Sequence, residues 1–192
     1  DLFDFWYHGM TYNATAASRA QITTVITPGM IMAIDPEAYT DDFTYQNSGS
    51  GSSALPSGTD YGQMVLEPRA GVANPARLVR NVTRPETAML YLVAGVVKHP
   101  HPNMVKWGSQ SAGAGPQWLS LMTRNEVCDV LCTWSGITPA IGDIVIPTAA
   151  SFAGNIIAQG SATAAQFAQS IGRVVSTLDS AGSALGSSGT NS

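Results

Sequence analysis

The sequence predicts an all-β fold, a β-sandwich or β-barrel of about seven to ten short strands. Short runs of β-branched and aromatic residues recur along its 192 residues. Pro, Gly, Asn and Asp punctuate those runs, and no stretch keeps a helical period over a useful length. The length suits one domain with a sizeable core, with or without extended arms.

The chain opens on Leu2, Phe3, Phe5, Trp6 and Tyr7, five large apolar groups crowded ahead of a small, polar stretch. Such a cluster serves either as the first strand of the core or as an arm docked on a neighbour. Aromatic enrichment at interfaces favours the arm, so residues 1–20 are expected as an N-terminal arm and these five as partner contacts. The β-branched run 21–26, the turn Thr27-Pro28-Gly29 and the apolar run 30–34 predict a hairpin. The Ser/Gly tract 48–53 predicts a flexible loop over about 46–59.

Further strands are expected at 63–66, 77–82 and 88–97, the last apolar on both faces and therefore central. Residues 108–116 read as a loop. Strands follow at 118–122, 126–134, 141–147 and 171–178, with one or two helical turns near 162–167. A single β-rich domain thus spans 21–179, and 180–192 is a loose Ser/Gly-rich tail. The two ends are where contacts with neighbours are expected.

Charge is the most informative quantity. Only 11% of residues are charged, against about 25% in an ordinary soluble domain. Charged groups are depleted at buried interface cores, so much of this surface is expected to be covered in an assembly. A net charge of −4 argues against nucleic acid, which needs clustered cations. Lys98 and Lys106 form no patch, and Arg77, Arg80 and Arg84 would not all share one face of a strand. No apolar run of about eighteen residues and no signal-peptide pattern is present. Cys128 and Cys132 would lie about 13 Å apart on an extended strand, too far for a disulfide, and read as reduced thiols in or near a core.

No catalytic, metal or cofactor site is expected. His99-Pro100-His101 places two imidazoles on one face of an extended segment, but a third ligand is missing nearby and His8 is far upstream. The acid pairs Asp35 with Glu37 and Asp41 with Asp42 read as a solvated loop, because the ordered calcium pattern is absent. There is no Gly-x-Ser-x-Gly elbow and no Gly-Lys pair for a phosphate loop, and Gly113-Ala114-Gly115 lacks the third glycine of a dinucleotide fingerprint.

Ile137-Thr138-Pro139-Ala140-Ile141-Gly142-Asp143-Ile144-Val145, then an Ala-rich stretch and Ile171-Gly172-Arg173-Val174-Val175, resemble the small capsid decoration, or cement, proteins of tailed bacteriophages. The resemblance lies mainly over residues 137–178. It implies that the two segments are strands of one compact β-domain. It also implies a virion protein, made in the host cytoplasm, that binds the major capsid protein and copies of itself on the outer surface of the head. Such proteins commonly sit as trimers at symmetry axes and stabilise the shell. No nucleic acid, membrane or small-molecule substrate is implied.

The competing reading is a carbohydrate- or receptor-binding module of a fibre, tail or cell surface, with Trp107, Trp118 and Trp134 as stacking faces. A hydrolase using Asp35 or His99 is third.

Overall fold

The computed structural model describes residues 2–7, 9, 11, 22–35, 81–101, 113, 117–123, 127–179 and 182–191. Their ten strands form two sheets, as the all-β reading expects. Strands β1 (Leu2–Tyr7), β2 (Ile31–Ile34), β3 (Asn81–Thr83), β4 (Val93–His101) and β5 (Gln117–Met122) close a barrel in the order β1-β3-β2-β4-β5. Strands β6 (Cys132–Ser135), β7 (Ile144–Pro147), β8 (Gly154–Ile157), β9 (Gly172–Arg173) and β10 (Ser188–Asn191) form an open sheet in the order β10-β6-β8-β7-β9. Only β1–β3 and β6–β8 run parallel. The expected helical turns are α1 (Ala164–Gln169), opened by a capping box between Thr163 and Gln166.

Alternation sorts the barrel strands. Phe5 and Tyr7 of β1, Met32 and Ile34 of β2, Val82, Val97, and Leu119 and Leu121 of β5 point inward. Ile22, Ile26, Met30 and Phe152 complete that core. Tyr7 meets Phe152 edge to face at 6.3 Å, and burial holds its phenol well above the usual range, with the Arg84 charge acting the other way. Phe152 belongs to the β7–β8 connection, so the second sheet's loop helps to plug the barrel.

Backbone bonds stitch the two sheets together. Ile31 N–H donates to the Phe152 carbonyl at 2.7 Å, Leu131 N–H to Gly29 at 2.8 Å and Gly154 N–H to Leu131 at 2.8 Å. The second core is Cys132, Trp134, Val145, Ile156 and Val174, with Val130, Ile137, Ile171 and Leu185 packed around it.

Several expectations change. Residues 2–7 are not an arm. They form a barrel strand in register with all six residues of β5, from Leu2 opposite Met122 to Tyr7 opposite Gln117. Closing a small barrel requires one more apolar strand, and the N-terminal aromatics supply it. Phe5, Trp6 and Tyr7 are accordingly partly or fully buried, whereas Phe3 remains exposed; Leu2 is described only through its backbone pairing. The tail is not loose throughout, because Ser188–Asn191 pairs antiparallel with β6.

The Pro28-Gly29 turn forms, with Gly29 at φ +88°, but not as a hairpin. Residues 22–27 form no strand, and their N–H groups at Ile22 and Ile26 donate to Gly9 and Gly113. The expected strand 88–97 begins at Val93, after a 3-10 turn over Thr87–Met89, and 126–134 is a strand only from Cys132. Of 171–178, Gly172–Arg173 is strand, with an isolated bridge between Leu178 and Ala184. Asp35 is buried rather than solvated. It follows Ile31 and Ala33 on the face of β2 that turns away from the barrel core, and Ile31 there packs towards Gly154 of the second sheet. Expectations for residues 1, 8, 10 and 12–20 of the arm, for 46–59, 63–66, 108–116 apart from Gly113 and most of 77–82, and for Glu37, Asp41, Asp42 and Lys106, lie outside the described residues.

Both cysteines are free thiols. Burial pushes the Cys132 thiol from its ordinary 9.0 up to about 12, helped by neighbouring Cys128 and opposed by a backbone hydrogen bond at Gly154. The folded chain therefore keeps a proton that the unfolded chain releases near pH 9. Stability from this group is intact below pH 9 and is lost as pH rises towards 12, by up to about 4 kcal/mol. Urea melts at pH 8 and pH 10.5 should show this decline, and Cys132→Ala should flatten it. An equal decline in both proteins would assign the alkaline loss elsewhere.

Candidate functional site

The outer face of β1, β5 and β4 gathers an unusual share of the chain's scarce chemistry. On β1 the residues that alternate with the core positions are Asp4 and Trp6, and on β5 they are Trp118 and Ser120. On β4 a register shift between Val97 and His99 resets the pleat. His99 then lies opposite Ser120 and His101 opposite Trp118. The result is two rows across three strands, Trp6-Trp118-His101 beside Asp4-Ser120-His99. Two of the three histidines and two of the four tryptophans of the chain stand there.

Pro100 is tolerated because β2 pairs with β4 only from Val93 to Val96, so no ladder bond to β2 is lost at that position. The segment is therefore strand, extended as expected, and both histidines remain exposed. Trp6 is only 3% exposed and Trp118 is 41% exposed. Their rings meet edge to face at 5.2 Å, so the buried indole braces the open one.

In the second row the buried Ser120 hydroxyl donates to Asp4 Oδ1 at 2.6 Å. Its oxygen also lies 3.0 Å from His101 Nε2. Since the serine proton is committed to the carboxylate, the imidazole N–H is the donor of that second bond. Serine thus stands between acid and histidine. A nucleophilic triad needs the histidine in the middle, accepting from serine and oriented by the acid, so this order does not activate Ser120. Among the described residues no group of three or more His, Cys, Asp or Glu is placed to hold a metal ion.

The remaining predicted residues go elsewhere. Trp134 is buried in the second sheet, where its Nε1–H donates to the Gly186 carbonyl at 2.9 Å; it is core, not a stacking face. Trp107 and His8 lie outside the described residues. A separate notch of about 300 Å³ runs between Leu90, Tyr91, Val96, Met122, Cys128 and Ile171. It has no acid, histidine or cation on its walls; its polar groups are those of Tyr91, Thr123, Gln169 and Ser170.

Asp4 and Ser120 were missed from sequence. Asp4 leaves a trace, a lone charge alternating with Phe3 and Phe5, but its pairing with a residue 116 positions away has no local signal. No protein-family model, no curated protein and no solved structure matches the chain.

Proposed function

We propose that this chain is a non-catalytic virion structural protein, a decoration or cement subunit that binds a capsid shell and copies of itself. The observation that carries this reading is the scarcity of charge on the second sheet. Residues 132–191 contain three charged side chains, Asp143, Arg173 and Asp179, and each is engaged within the fold. Asp143 is buried and accepts from Ala140 N–H at 2.9 Å and Gln159 N–H at 3.0 Å. Arg173 donates to the Gly142 carbonyl at 2.8 Å, and Asp179 accepts from Ser183 N–H at 2.8 Å.

Around them Ile141 is 74% exposed, Val175 57% and Leu178 54%. A free monomer normally keeps mixed charges on such a surface to resist association, whereas a surface covered in an assembly has no use for them. The two segments that carry the resemblance also meet. Ile144 pairs with Arg173 and Val145 with Gly172, and Gly142 N–H donates to the Val174 carbonyl. That fits their expected membership of one compact β-unit.

Detection of the chain in purified particles by mass spectrometry, and then as density on the capsid lattice, is the direct test. Ile141→Asp and Val175→Asp should fold normally, since both positions are exposed, yet be lost from particles. Consistent absence of the unmodified chain from particles refutes the virion role. A strictly monomeric chain with no partner, by size exclusion with light scattering, refutes assembly altogether.

A further inference from the structure

The outer face of β1, β5 and β4 has the composition of a small polar-ligand site, and its chemistry selects the ligand. Neighbouring strands lie about 4.8 Å apart and same-face residues about 6.8 Å apart along each. The two rows therefore cover about 10 by 7 Å, a footprint for one or two sugar rings rather than for a macromolecule. Trp118 offers a flat apolar surface beside groups that exchange hydrogen bonds with hydroxyls. The edge contact with buried Trp6 fixes that indole, and the Ser120 bridge fixes Asp4 and His101.

A pyranose has the matching pattern. Its C–H face is apolar and weakly positive, suited to the negative face of an indole, and its rim of hydroxyls seeks both acceptors and donors. The Asp4 carboxyl brings acceptor oxygens, one of them bonded to Ser120, the His99 imidazole can both accept and donate, and His101, whose Nε2–H goes to Ser120, brings Nδ1 as an acceptor. None of the six positions is Lys or Arg, and an acid stands among them, so an acidic sugar would meet repulsion instead of a counter-charge. Because all six residues stand on paired strands, little ordering cost accompanies binding.

We propose that Trp118, Asp4, Ser120 and His101 form a binding subsite for a neutral pyranose unit of a glycan, with Trp6 as the brace that positions Trp118. The site is independent of the virion role, because a sugar can be held by a particle-bound or a free chain.

The test titrates the intact chain with glucose, galactose, mannose and N-acetylglucosamine and with their β-1,4-linked disaccharides, following tryptophan fluorescence and amide NMR shifts. At least one should shift the signals of Trp118 and His101 saturably. Trp118→Ala should weaken binding about tenfold or more, and Asp4→Asn and His101→Ala several-fold, while Val127→Ser, at an exposed position away from the site, should bind as the unmodified chain does. If Trp118→Ala fails to fold, the exposed Asp4 and His101 substitutions and the shift map of the unmodified chain still decide. Shifts that map elsewhere, unchanged binding by the variants, tighter binding of sialylated than of neutral sugars, or no response to any neutral sugar would each overturn the assignment.

Discussion

Gly95→Ala is expected to lower stability by about 3 kcal/mol, at the upper end of what overpacking a buried site costs. A Cβ built at Gly95 falls on the backbone carbonyl of Met122 and lies 3.2 Å from the Leu121 Cβ. Neither neighbour is the free end of a flexible side chain. β4 is held by β2 on one side and β5 on the other, so it cannot shift to make room without parting a ladder of the barrel. Urea denaturation measures the loss directly. Gly160→Ala, where nothing lies within 4 Å of the new methyl, is the matched control and should stay within about 0.5 kcal/mol of the unmodified chain. A Gly95→Ala protein as stable as that control would mean that the β4–β5 approach is looser than the barrel requires.

The same glycine illustrates what is legible in the sequence. The apolar run around it announces a central strand, and β4 is one. Nothing local says that Gly95 is small because another backbone crosses it. Alternation in Trp118-Leu119-Ser120-Leu121-Met122 was likewise readable as a strand, as was the capped helical turn near 164. What failed were the ends and the pairings. Phe3, Phe5 and Tyr7 alternate with Asp4 and Trp6 much as a half-buried strand does, yet five large groups at one end of a sequence suit an arm as well. Only the six-residue register with β5 decides between them. The tail segment Ser188-Gly189-Thr190-Asn191 has almost no strand propensity of its own. It is a strand because an edge of the second sheet, next to the Trp134 indole, is there to receive it.

The outer barrel face was legible in halves. His99-Pro100-His101 reads as an extended segment with both imidazoles on one side, and β4 places them so. Trp118 reads as a possible platform, and of the three described tryptophans it is the one that stays open. Sequence alone does not separate Trp134 from it, since both sit in short strands. Burial separates them, and burial follows from which sheet each strand joins. Asp4 and Ser120 meet only because β1 closes the barrel on β5, a contact of high sequence separation that no periodicity encodes.

Trp134→Ala should cost about 3–5 kcal/mol, the usual range for removing a large buried aromatic group, and its effect should concentrate at one edge of the molecule. The indole packs among Cys132, Val145, Ile156 and Val174. Its N–H reaches the Gly186 carbonyl, and its six-membered ring lies where a Cβ on Gly189 would come within 2.8 Å. Gly189 is thus glycine so that β10 can lie flat over the ring. Without the indole, β10 keeps its backbone bonds to β6 but loses both the surface it rests on and the tether at Gly186. Hydrogen exchange should then rise first at residues 188–190, while β4 and β5 retain protection until global unfolding. Trp134→Phe keeps most of the apolar contact but removes the N–H donor together with part of the ring, for a cost of about 1–3 kcal/mol set by the unsatisfied carbonyl and the smaller ring. Equal exchange in β10 and the barrel strands of Trp134→Ala would show that the two sheets unfold as one unit, in which case the seam at Ile31, Gly29 and Leu131, rather than the Trp134 core, governs how the C-terminal edge is held.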